Sequence, residues 1–186
     1  MENRRTFIKN AGLVSLLSLL ANAKAATGPF SGLELNNEGF ILNKTGGEVW
    51  YIGARKAEVH IKASKATSGN IEMSLLTELV SPGDGIPEHK HLKEDEFLYI
   101  LKGTAKLKVG DKEEVVRPGG LAYVPKTVWH SLTNVGDEDV MFFFGYSPAG
   151  FEDYFRAIGK ASKEQPVNLT EDDWARINRK YNVVYR

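Results

Sequence analysis

The stretch GIPEHKHLKEDEFLYILKG, residues 85–103, holds two of the chain's four histidines, with His89 and His91 two positions apart and Glu96 five positions after His91. Side chains alternate faces along an extended strand, so the two histidines point the same way. Their Cα atoms then lie about 6.5 Å apart, close enough for two imidazoles to converge on one ion. Glu96 opens the apolar run EFLYILKG, where Leu98 and Ile100 share its face. His130, after VPKTVW, supplies a further imidazole from far along the chain. Three neutral nitrogens and one carboxylate suit a divalent first-row metal with a position or two left for water or substrate.

Coincidence explains this set poorly. With four histidines in 186 residues, three at prescribed offsets arise about once in a hundred thousand starting points. The remaining histidine, His60 in EVHIK, reads as an ordinary strand residue. The charges of Glu88, Lys90, Lys93, Glu94 and Asp95 read as a solvated loop.

Composition limits what such a site can belong to. The 186 residues are 42% hydrophobic with 18 glycines, enough for one domain with a core. Lys+Arg and Asp+Glu both total 24. Without residues 1–25, which hold Arg4, Arg5, Lys9, Lys24 and Glu2, 20 positive and 23 negative charges remain. That mildly acidic balance excludes a nucleic-acid backbone as the expected partner. Cysteine is absent, so disulfides, thiolate ligands and a lipid-modified cysteine are excluded.

Residues 1–25, MENRRTFIKNAGLVSLLSLLANAKA, read as an export signal: a basic head, an apolar stretch from Ala11 to Ala21, then small-residue sites. The stretch is too short for a comfortable span of about 20 residues, so no stable membrane anchor is expected. NRRTFIK resembles a twin-arginine signal, with Phe7, Ile8 and Lys9 in place and Asn3 where Ser or Thr is commoner. The resemblance implies the twin-arginine export machinery as a partner of the precursor and a periplasmic or extracellular destination. An ordinary secretory signal is the alternative. Folding before transport would let iron or manganese be captured ahead of copper or zinc, which bind such sites more tightly.

Short β-rich runs follow at 48–53, 58–64, 71–80, 96–103, 105–110, 113–117, 121–125, 130–135 and 139–147. Such spacing suggests an all-β sandwich or barrel. After Pro148 the pattern turns helical. Phe151, Tyr154, Phe155 and Ile158 fall on one face, and Thr170-Glu171-Asp172-Asp173 resembles a capping box ahead of Trp174, Ile177 and Tyr181. The expected layout is a signal at 1–25, a β domain at 26–147 and a helical extension at 148–186.

The spacing Gly83, five residues, His89, one, His91, four, Glu96, six, Gly103 resembles the first motif of the cupin superfamily at every fixed position. Gly119, five residues, Pro125, then His130, three residues and Asn134 resemble the second, with Thr127 where that motif usually has glycine. The resemblance implies an antiparallel jelly-roll β-barrel with the metal inside its mouth and the C-terminal helices packed outside. DEFLYILKG, GDEDVMFFFGYSPAGFEDYF and RKYNVVY are similar to small proteins related to bacterial quercetinases.

That likeness implies a metal-dependent dioxygenase acting on a small aromatic or enolic substrate such as a flavonol, with dioxygen as co-substrate. His89, His91, Glu96 and His130 would hold the metal, iron or manganese ahead of nickel, copper, cobalt or zinc. Glu96 would also act as catalytic base. Leu98, Ile100, Val124, Phe142 and Phe144 would form the apolar wall of the substrate pocket, the last two subject to a one-residue uncertainty in strand facing. Other cupins are isomerases or decarboxylases, or bind a ligand or metal without catalysis, and these readings stay open. The family also includes homodimers, for which Thr27 to Thr45 is the candidate arm.

Overall fold

A computed structural model describes residues 39–53, 57–68, 72–162 and 168–186. The export segment and most of the candidate arm lie outside these residues. Alternation of burial sets the architecture. In β2 (Ala57–Ala63), Ala57, Val59, Ile61 and Ala63 are buried and the residues between them are not. β5 (Asp95–Lys102) buries Glu96, Leu98 and Ile100 in the same way. Period-two patterning of this kind commits one face of each strand to a core.

Two antiparallel sheets result. One runs β1 (Glu48–Ile52), β2, β3 (Ser74–Val80), β10 (Val140–Ser147), β5 and β8 (Leu121–Val124). The other runs β11 (Val183–Tyr185), β4 (Gly85–His91), β9 (His130–Asn134), β6 (Ala105–Val109) and β7 (Lys112–Val116). The helices are α1 (Lys65–Ser68), α2 (Glu152–Ile158) and α3 (Glu171–Lys180). This is the all-β sandwich expected from the strand pattern, in the jelly-roll arrangement that the cupin resemblance implies. Among the described residues, no helix is long and apolar enough to cross a membrane.

Phe142 and Phe144 face inward from β10 and are fully buried, their ring centroids 5.0 Å apart. Leu98, Ile100 and Val124 join them in one continuous core. Each such side chain contributes about 1.5–3 kcal/mol through burial. The uncertain strand facing thus resolves with both phenylalanines inward.

Two backbone positions shape the ends of the ligand strands. Gly103, between β5 and β6, has φ +81°, and a Cβ there would lie 2.8 Å from the Asp139 carbonyl oxygen. Only glycine satisfies both demands. Thr127 has φ 70°, the left-handed conformation that glycine would adopt freely. The turn survives the substitution because its N–H donates to the His91 carbonyl at 2.6 Å, at a local cost of about 1–3 kcal/mol. Asn134 fixes the far end of β9. Its amide donates to the carbonyls of Val80 and Glu138 and its oxygen accepts from the Gly136 N–H.

The extension after Pro148 departs from the expected helices in one respect. α2 and α3 form as the periodicity predicts, and α3 begins with a complete capping box between Thr170 and Asp173. Val183–Tyr185, however, is a strand at the edge of a barrel sheet. Phe151, Tyr154, Phe155, Ile158, Ile177 and Val183 belong to the same buried cluster as the barrel. The extension therefore completes the core as well as covering it.

Candidate metal centre

Three strands bring four side chains to one point. His89 and His91 project from alternate positions of β4, Glu96 is the second residue of β5, and His130 opens β9 directly opposite His89. The β4–β9 register shifts between Ile86 and His89, where Pro87 has no N–H to offer the ladder. All four residues are at least 95% buried, and each offers a ligand atom within 4.8 Å of the others. His60 lies elsewhere, on β2, with its Nε2 2.6 Å from Glu58.

Hydrogen bonds fix which ring nitrogens face the centre. His89 Nδ1–H donates to the Pro87 carbonyl at 2.8 Å, and His130 Nδ1–H donates to the Val128 carbonyl at 3.1 Å. In the neutral rings Nε2 is left as a lone pair aimed inward. Both ring nitrogens of His91 are buried without a hydrogen bond, although its Nε2 is 3.2 Å from a Glu96 carboxylate oxygen. The same oxygen is 2.8 Å from His130 Nε2. Two acceptors at that distance need a positive charge between them, either a proton or a metal ion. The donor set and its orphaned nitrogens thus fit a divalent cation.

Charge states follow from the same contacts. Burial holds the His89 imidazole well below its ordinary value, helped by the neighbouring histidines. Burial pushes Glu96 up, but its contacts with His130 and His91 outweigh it and keep the carboxyl far below the usual range. His130 is lowered by burial and raised more by Glu96, for a net upward shift.

The sign for stability follows for His89. An unfolded histidine takes a proton below its ordinary value of 6.5 while buried His89 stays neutral, so its contribution is present above pH 6.5 and is lost on acidification. His130 has the opposite sign, its contribution being full below 6.5 and lost as pH rises through its elevated folded value. Metal-free protein is therefore expected to melt at a lower temperature at pH 5 than at pH 6.5 in matched thermal scans. Equal midpoints would show that His89 is not held neutral.

Three residues that the motifs do not mark complete the surroundings. Tyr146 lies opposite Glu96 across the β5–β10 ladder and is buried beside that carboxylate. Burial and the Glu96 charge push the phenol well above its ordinary value. The alternation Phe142, Phe144, Tyr146 is the signal that would have found it. Tyr185 of β11 pairs opposite His89, and the two rings stack at 5.3 Å. Phe151, just ahead of α2, meets the His91 ring edge-on at 4.2 Å. The aromatic stripe of the extension therefore caps the ligand cluster. Leu98, Ile100, Val124, Phe142 and Phe144 fill the barrel core and are 0–4% exposed.

A jelly-roll barrel with three inward imidazoles and one carboxylate defines a class of small metal-site β proteins. Residues 76–146 match the Cupin_2 family model, a cupin domain, so this part of the chain is similar to that family. Protein SchB of Streptomyces halstedii is 29% identical over 94 residues, covering 50% of this chain and 68% of SchB. Polyketide synthase CurC of Streptomyces cyaneus is 30% identical over 83 residues, covering 45% of this chain and 51% of CurC. Among solved structures, a predicted oxalate decarboxylase from Thermotoga maritima aligns with TM-score 0.54 and 21% identity, over 59% of this chain and 99% of that one. That likeness establishes the fold.

Proposed function

We propose that the protein is a metal-dependent oxidoreductase of the dioxygenase type, acting on a small aromatic or enolic substrate. The observation that carries this reading is the buried cluster of His89, His91, Glu96 and His130, in which each residue offers a ligand atom within 4.8 Å of the others and backbone carbonyls take up the Nδ1 atoms of His89 and His130. These four side chains would hold the ion, iron or manganese fitting best with capture before export. A bound metal would supply Lewis acidity to a substrate hydroxyl and, if redox-active, a route for electrons to dioxygen.

The chain's own residues do the rest. Glu96, ionised across the neutral range, takes the proton of the substrate hydroxyl. Tyr146, paired opposite Glu96 on the neighbouring strand, packs beside that carboxylate and limits its movement. Phe151 and Tyr185 cover the His91 and His89 rings, and the partly exposed Tyr185 offers an aromatic ring to a planar substrate. The name of CurC adds support, since polyketide chains carry 1,3-dicarbonyl groups that enolise readily.

The test pairs elemental analysis of protein purified without added metal or chelator with oxygen uptake on a panel of flavonols, phenols and 1,3-diketones. Near-stoichiometric iron or manganese with uptake on one panel member is the expected result. Tightly held zinc without uptake, or no metal, would overturn the oxygenase reading in favour of a non-oxidative enzyme or a binding module.

A further inference from the structure

Beside the cluster lies a cavity of about 240 Å³ that the motifs do not mark. Pro87 and Tyr185 form its wall toward the metal centre, Ile52 and Ile158 line it, and α3 contributes Trp174 and Asn178. Tyr154 completes the lining, its hydroxyl 3.1 Å from Asn178 Oδ1 and 3.2 Å from the Tyr185 hydroxyl. The wall residues are the ones that touch His89: the Pro87 carbonyl accepts from its Nδ1–H, and Tyr185 stacks on its ring.

We propose that this cavity, separated from the metal centre by Pro87 and Tyr185, is a holding site for a neutral phenol or enol of one or two rings, and so narrows the substrate class of the proposed reaction to compounds smaller than a flavonol. Size, lining and charge each point there. A dry cavity of about 150 Å³ already accepts benzene, whereas drug-sized ligands occupy about 300 Å³ or more. Three aromatic rings and a proline favour a planar apolar body. Among the described residues no charged side chain lines the cavity, and its described surface offers a carboxylate or phosphate no counter-ion. The Asn178 amide and the two tyrosine hydroxyls gather the polar groups that a hydroxyl or enol needs. Tyr185 is 37% exposed, which gives the cavity a face to solvent.

The inference rests on the aromatic or enolic reading given above. Its test is anaerobic titration of the full chain with 2-naphthol and with naphthalene, followed by Trp174 fluorescence and by nuclear Overhauser contacts to the Trp174 ring. One molecule of 2-naphthol per chain is expected, bound at least tenfold more tightly than naphthalene. Asn178→Leu should remove that preference while keeping naphthalene affinity, and Trp174→Ala should weaken both ligands at least tenfold. Binding that persists in the metal-poor His130→Ala protein would place the ring in the cavity and not on the metal. No saturable binding, or equal affinity in wild type, Asn178→Leu and Trp174→Ala, would overturn the proposal. Naphthol binding without oxygen uptake on any substrate would leave the cavity standing and sink the oxygenase. Oxygen uptake indifferent to Asn178→Leu and Trp174→Ala would do the reverse.

Discussion

His130→Ala is expected to purify with most of its metal gone, its affinity lowered by more than about 100-fold. Substitutions one shell further out typically cost about 10–100-fold, and losing a direct ligand exceeds that. The variant also leaves the Glu96 oxygen, now 2.8 Å from His130, without its nearest nitrogen partner. His60→Ala serves as the control, since His60 sits on another face with Glu58 and should leave metal content unchanged. Metal per chain and a chelator-competition constant decide the matter. Full occupancy in His130→Ala would show that His130 is not a ligand.

Phe142→Ala is expected to lower unfolding free energy by about 3–5 kcal/mol, the usual cost of truncating a buried aromatic residue. Stabilities of small domains are only about 5–15 kcal/mol, so a substantial share would be lost. Phe142 is wholly buried on β10, which lies between β3 and β5, and it pairs opposite Ile100 on the strand that also carries Glu96. Urea unfolding of metal-free protein measures the loss without a contribution from metal binding. Phe143→Ala, on the opposite face and only partly buried, should cost clearly less. Equal losses would mean that β10 does not divide its faces as described.

The ligand cluster was legible because β periodicity and residue chemistry act over short range. His89, His91 and Glu96 lie within eight residues on alternating strands, so their facing follows from spacing alone. His130 needed the second motif, because nothing local says that β9 will lie beside β4. β4 itself carries little strand propensity in GIPEHKH, and its role was readable only through its histidines. Tyr185 escaped for a different reason. NVVY follows a well-formed helix, and its three-residue strand exists because β4 offers an open edge. Thr127 shows a third kind of limit. The sequence marks a missing glycine, while the turn is retained through a hydrogen bond that no local pattern reports.

The pairing of β11 with β4 also has a kinetic side. Val183 meets His91 across 92 residues of chain, whereas β6 and β7 meet through a tight hairpin. Closing long loops costs more entropy, and non-local β contacts are the slow steps of such topologies. Hairpins such as β6–β7 therefore form ahead of the pairing that brings Tyr185 onto the His89 ring. Until that late pairing, the outer flank of His89 lacks the Tyr185 ring that covers it in the folded protein, so this side of the cluster is the last to be closed off from water.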